Sequence, residues 1–173
     1  MTSRRGNDPE EKARQRAFLL LKFRPRSESE FRTRLSRMGC GPTMIEKLVA
    51  EFKQKDLLND AKFARYFAAQ QMVMKPAGRR ALISSLKAKG VDPSLSAQAV
   101  EEAAEGKDEL TRARELAESR VSSLKGLKPD AAQRRLFGFL SRRGFSSDVV
   151  YKVTREFLTS HPERSEGSDV DVQ

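Results

Sequence analysis

Ser85-Leu86-Lys87-Ala88-Lys89-Gly90-Val91 decides how this chain is read, because its pattern is written three times. Arg34-Leu35-Ser36-Arg37-Met38-Gly39-Cys40 precedes it and Phe139-Leu140-Ser141-Arg142-Arg143-Gly144-Phe145 follows it. Each copy has Leu, then Gly four residues on, then an uncharged residue suited to burial, and the glycines stand 51 and 54 residues apart. The copies align outward without gaps. Four residues before each Leu comes Phe31, Leu82 or Leu136. Downstream come Met44, Leu95 and Val149, then Leu48, Ala99 and Val153, then Phe52, Ala103 and Phe157. Spacings of four return to one face of a helix, and no stretch alternates as a strand does. The glycine after the last turn of each second helix predicts a left-handed residue that closes it.

Caps place the other helix ends. Ser27-Glu28-Ser29-Glu30 reads as a capping box, and Asp130 with Gln133 reads similarly. Gly41-Pro42, Asp92-Pro93 and Ser146-Ser147 open the third helices, with Asp92 and Ser146 as caps and the prolines in the first turn. A further helix precedes each pair, opened by Asp8, by Asn59-Asp60 and by Asp108. Their apolar faces are Ala13, Ala17, Leu20 and Leu21; Phe63, Ala64, Phe67 and Ala68; and Leu110, Ala113, Leu116, Ala117 and Val121. The predicted fold class is all-α: three tandem three-helix repeats, helix-turn-helix-like, in an elongated, curved array. Their limits are 9–57, 59–105 and 107–158, with a flexible arm at 1–8 and a disordered acidic tail at 159–173.

Composition narrows the function. In 173 residues, 34 Lys and Arg oppose 24 Asp and Glu, a net charge of +10. Residues 161–173 carry Arg164 against Glu163, Glu166, Asp169 and Asp171, so the helical body is more basic still. Such a body suits a polyanionic partner. One cysteine forms neither an internal disulfide nor a metal cluster, and Cys40 stands where the sister copies have Val91 and Phe145, as a small core residue. His161 is the one histidine, at the edge of the tail. No phosphate-cradling glycine loop and no nucleophile–base pair is visible, so no catalytic residue, metal ligand or cofactor is expected. The longest apolar run near the N-terminus, Ala17–Leu21, is too short to span a bilayer; a cytoplasmic location and no membrane contact are expected.

The basic residues gather on the second helices. The first has Arg32, Arg34 and Arg37, diluted by Glu28 and Glu30. The second has Arg79, Arg80, Lys87 and Lys89, and the third Arg134, Arg135, Arg142 and Arg143. With the units stacked along an arc, Arg32, Arg37, Arg79, Arg80, Lys87, Lys89, Arg134, Arg135, Arg142 and Arg143 form the expected binding track, suited to phosphates or an acidic protein groove. The third helices lack a row of Arg and Asn to read bases, and the middle one carries Glu101 and Glu102.

Four motifs in order resemble the bacterial RecX family: Arg26-Ser27-Glu28, Asp60-Ala61-Lys62-Phe63-Ala64-Arg65, Lys75-Pro76-Ala77-Gly78-Arg79-Arg80 with Leu86–Val91, and Arg142-Arg143-Gly144-Phe145. The resemblance covers residues 10–158. It departs at Asn59-Asp60, where the family often has two acids, and at Cys40, where a bulky apolar residue is usual. It implies a curved all-helical array that lies in the groove of the RecA–single-stranded DNA filament. It implies inhibition of filament growth, ATP hydrolysis, strand exchange and the coprotease activity that drives the SOS response. The expected partners are therefore the RecA filament and single-stranded DNA, with weak duplex binding, for a monomer that is not an enzyme. Two other classes remain open: a stand-alone DNA-binding protein of tandem helix-turn-helix modules, and a helical scaffold for an acidic protein.

Overall fold

The structure, a computed structural model, describes residues 8–74, 76–104 and 108–160, and these are helical with no strand among them. The order is α1 (Pro9–Phe23), α2 (Glu28–Arg37), α3 (Pro42–Gln54), α4 (Asp60–Met74), α5 (Arg79–Ala88), α6 (Pro93–Ala103), α7 (Glu109–Glu118), α8 (Val121–Leu124), α9 (Pro129–Arg142) and α10 (Ser147–Ser160). Residues 1–7 and 161–173, hence most of the expected arm, the acidic segment and His161, lie outside the described residues. Thr159 and Ser160, expected in the tail, belong to α10.

The repeat is exact at its turns. Gly39, Gly90 and Gly144 have φ of 82°, 79° and 79°. In each copy the residue after the glycine donates its amide to the leucine carbonyl five positions back: Cys40 to Leu35 (3.1 Å), Val91 to Leu86 (3.2 Å) and Phe145 to Leu140 (3.4 Å). The glycine amide closes the shorter ring, onto Ser36, Lys87 or Ser141. This paired closure satisfies carbonyls that a helix end leaves open. It also drives the following residue inward, so Val91 and Phe145 are buried. Cys40 is half-buried at the core's edge. The aligned leucines Leu35, Leu86 and Leu140 are all fully buried.

Two compact units divide the chain: Met1–Ala69 with Ser84–Glu102, and Gln70–Ile83 with Ala103–Gln173. The division runs through α4 and α5, not between repeats. The first unit's core is Ala13, Ala17, Phe31, Leu35, Ile45, Leu48, Val49, Phe52 and Leu58. The second unit's core runs from Ala113 and Ala117 through Leu136 and Leu140 to Val153 and Phe157. A similar joint inside each unit explains why the middle repeat is shared. In the first unit the Ser27 hydroxyl accepts from the Glu30 amide (3.1 Å) and donates to the Lys89 carbonyl (2.5 Å). A Cβ on Gly90 would fall 2.4 Å from Ser29 Cβ. In the second unit the Gly78 amide donates to the Arg143 carbonyl (2.8 Å) and the Arg80 amide to the Gly144 carbonyl (3.2 Å). Ser27 and Gly78 hold the same repeat position, as do Lys89 and Arg143. One repeat's Gly turn thus docks on the start of the preceding repeat's second helix.

Asp60 adds a bond that its own helix does not use. Its carboxylate accepts from the Glu28 amide (2.8 Å), capping α2, while Asn59 caps α4 through the Lys62 amide (3.0 Å). Burial raises the Asp60 carboxyl above its usual range, although the Glu28 amide opposes this. A raised folded pKa means that stability falls as pH rises through it. Asp60→Asn keeps the acceptor and should remove that pH slope at near-normal stability. Asp60→Ala leaves the amide without its acceptor and should cost about 1 kcal/mol. Urea melts of both variants between pH 4 and 8 check this.

Four local expectations are corrected. The first helix of the third repeat is not continuous through Val121: it stops at Glu118 and restarts at Val121. Ser119 donates its hydroxyl to the Leu116 carbonyl (2.6 Å), and the Arg120 amide reaches only three residues back, to Ala117 (2.9 Å), so the helix tightens and ends. Asp130 is not the cap of α9, because Pro129 already occupies the first turn and Lys128 stands at the cap without a side-chain bond. Glu30 does not complete a reciprocal capping box; its carboxylate is drawn to Lys89 (2.8 Å) and Arg24 (3.1 Å). Burial opposes its ionisation, but those two cations together hold Glu30 below the usual carboxyl range. Ser146 turns its hydroxyl to Glu109 (3.1 Å) instead of its own helix.

Candidate anion-binding groove

Charge neutralisation separates the candidate basic residues. In the first unit Arg32 is held by Glu46 (2.9 Å) and Glu28 (3.2 Å). Lys89, only partly exposed, is held by Glu30 and lies 5.2 Å from the centre of the Phe67 ring. Its ammonium therefore belongs to the joint between repeats. Arg37 and Lys87 are exposed and form no ion pair among the described residues. Arg37 lines a small cleft of about 260 Å³ with Arg24, Arg26, Arg34 and Lys89, where Glu30 already supplies a carboxylate. In the second unit Arg79 and Arg80 are exposed at the start of α5, and their amides are tied to Glu109 (3.1 Å) and to the Gly144 carbonyl (3.2 Å).

The third repeat differs. Arg134, Arg135 and Arg142 project from α9 into a groove of about 730 Å³ completed by Arg120. No carboxylate lines it, and none of these four guanidinium groups has an ion pair among the described residues. Helical geometry assembles the cluster: Arg135 and Arg142 are seven residues apart, and Arg134 and Arg142 eight, so all lie along one stripe. Ala131 lines the groove on that stripe, and Gly138 lies between the arginines. A methyl group on Gly138 would stand 3.1 Å from Arg142 Nη1. Gly in a helix interior costs about 1 kcal/mol relative to Ala, and here it leaves the Arg142 side chain room to lie across the helix.

Phe139 forms the groove's aromatic wall. The Arg120 guanidinium carbon lies 4.5 Å from its ring centre and that of Arg143 5.4 Å. Arg143 also reaches the Pro76 carbonyl (3.5 Å), which fixes it as a wall support at the joint and not a free cation. Reading from the sequence missed two parts of this site. Arg120 reaches the groove because the helix breaks at Ser119, and a continuous helix hides that. Phe139 carries no signal of its own in the sequence, and only the fold shows it half-buried and stacked by arginines. Four guanidiniums without ion pairs among the described residues, beside Leu124, Ala131 and Leu136, suit phosphate or carboxylate groups presented in a row. No group of His, Cys, Asp or Glu that could hold a metal ion occurs among the described residues. No described helix is long and apolar enough to cross a membrane.

Fold and groove define a class: an all-helical protein of three-helix repeats with an arginine-lined face on the last. Comparison with known proteins makes the class specific. Residues 59–100 match the family model described as RecX, second three-helix domain, and residues 107–154 match RecX, third three-helix domain. The chain belongs to the RecX family. It is 36% identical over 156 residues to the regulatory protein RecX of Amycolatopsis mediterranei, covering 88% of this chain and 89% of that one. It is 31% identical over 160 residues to that of Thermobifida fusca, covering 92% and 83%. The crystal structure of RecX from Lactobacillus salivarius superposes with a TM-score of 0.72 at 20% identity, over 85% of this chain and 95% of that one, a likeness of fold. The chain is thus a regulator of the RecX type.

Proposed function

We propose that this protein is a negative regulator of RecA that binds the RecA–single-stranded DNA filament and restrains its growth, ATP hydrolysis, strand exchange and coprotease activity. The observation that carries the reading is the α9 groove: four arginines without carboxylate partners among the described residues, in a chain of this family. On this reading the repeats 9–57, 59–105 and 107–158 belong to a monomeric, non-enzymatic protein of the cytoplasm. The third repeat supplies the strongest contact to polyanion, and Arg37, Arg80 and Lys87 add weaker ones. Restraint requires that the protein bind one filament state better than another, since equal affinity shifts nothing.

A stand-alone duplex reader would place its third helices in the major groove. Those helices spend charge internally: Glu102 of α6 approaches Arg65 (3.9 Å), and Glu156 of α10 pairs with Arg114 (2.8 Å). The test is RecA's single-stranded-DNA-dependent ATPase. Added protein should lower the rate in a saturable manner while hydrolysing no ATP itself. An unchanged rate at molar excess, or intrinsic turnover, overturns the reading.

A further inference from the structure

The α1 surface holds a second groove that the reading above does not use. Its walls are Phe18, Leu19 and Leu21 of α1 and Leu57 beyond α3, with Gln15 and Lys22 at its edges, enclosing about 700 Å³. Phe18 is 44% exposed, Leu19 52%, Leu57 46% and neighbouring Phe23 81%. Water-facing apolar groups gathered this closely mark an interaction surface. The patch is built firmly. The Phe18 ring rests 4.8 Å from that of Phe52, which is fully buried. Asp56 takes the left-handed conformation with φ 54°, held by Lys62 and Asn59. That turn sends Leu58 into the core and Leu57 out to the groove.

Shape and charge choose the occupant. Gln15, Phe18, Leu19 and Lys22 follow the spacing of one helix face over about two turns, the ridge against which another helix packs. Lys22 has no ion pair among the described residues, and Arg16 donates to the Met38 carbonyl (3.3 Å) and likewise has no ion pair among them. The nearby acids are already met, Glu11 by Arg14 (2.9 Å) and Asp56 by Lys62. We infer that this groove docks an amphipathic helix of a partner protein whose apolar stripe is flanked by Asp or Glu. A second copy of this chain fits worse, because the same patch on a two-fold partner offers Lys22 no carboxylate: none lines the groove. A bilayer fits worse because the surface is concave, whereas helices that lie on membranes present a convex apolar face.

The probe is a fluorescein-labelled 16-residue helical peptide with Leu at the i, i+3, i+4 and i+7 positions and Glu beside them. Its control carries Lys in place of Glu. Anisotropy with the full chain should show the acidic peptide binding at least about tenfold tighter than the control. Leu19→Asp and Lys22→Glu, both on the surface, should each weaken it by about tenfold, with melts near wild type. Arg134→Glu should leave it unchanged. No binding, equal binding of both peptides, or indifference to Leu19→Asp overturns the proposal. So does self-association, or flotation with phosphatidylglycerol vesicles, that Leu19→Asp abolishes. Tighter peptide binding after removal of residues 161–173 also overturns it, because the chain's own acidic tail is then the occupant.

Discussion

Charge reversal of Arg134, Arg135 and Arg142 together should abolish the inhibition of RecA proposed above while leaving the fold intact. All three side chains are exposed on α9 and none has an ion pair among the described residues, so their removal breaks no internal bond. The core face of that helix, Ala132, Leu136 and Leu140, is untouched. If each lost contact is worth only about 1 kcal/mol, three amount to more than a hundredfold in affinity. Inhibition at fixed concentration should vanish, and the salt dependence of binding to single-stranded DNA should become shallower by about 2 in log–log slope. Arg32→Gln is the matched control. Glu46 and Glu28 already absorb that charge, so it should cost under about 1 kcal/mol of stability and leave inhibition nearly unchanged. ATPase titrations and thermal melts of both variants check the pair. Full inhibition by the triple variant would move the contact surface elsewhere in the chain.

The largest effect on stability should come from two glycines that meet backbone to backbone. A Cβ on Gly78 would lie 2.3 Å from the Gly144 carbonyl carbon, and one on Gly144 would lie 2.5 Å from the Ala81 amide nitrogen. No side-chain rotation relieves a clash with main chain, and the two hydrogen bonds of this joint, Gly78 to Arg143 and Arg80 to Gly144, would have to part. Gly144→Ala adds the strain of a left-handed residue, at φ 79°. Each substitution should cost about 3 kcal/mol, enough to lower the Tm of the second unit by roughly 10 °C or more. Gly39→Ala separates the two causes. It shares the positive φ, 82°, but nothing lies within 4 Å of its added methyl. It should cost only about 1 kcal/mol. Equal losses at Gly39 and Gly144 would mean that conformational strain, not the close approach, governs both.

These glycines also show where sequence reading stops. The spacing of Leu and Gly across three copies determined the second and third helices of each repeat, the buried leucines at their turns and the left-handed turns themselves, but not the break between α7 and α8. Those properties are local, because four residues return a helix to the same face and few residues other than glycine accept φ near 80° at its end. Gly78 carried no such signal: its need for a missing side chain arises from Gly144, 66 residues on, and only packing reveals it. The same holds for the basic residues. Composition placed positive charge on the second helices, but which cations stay free depends on acids distant in sequence. Glu46 reaches Arg32 and Glu30 reaches Lys89 only after the helices pack, while no carboxylate among the described residues arrives at Arg134, Arg135 or Arg142. Arg120 joins that groove because two serine hydroxyls bind helix carbonyls and the chain turns, a contest between local bonds that periodicity does not resolve. Sequence alone therefore determined the repeat and its family. Tertiary structure decided which of the basic residues on the second helices remain available to a partner, since ion pairing depends on distance in space.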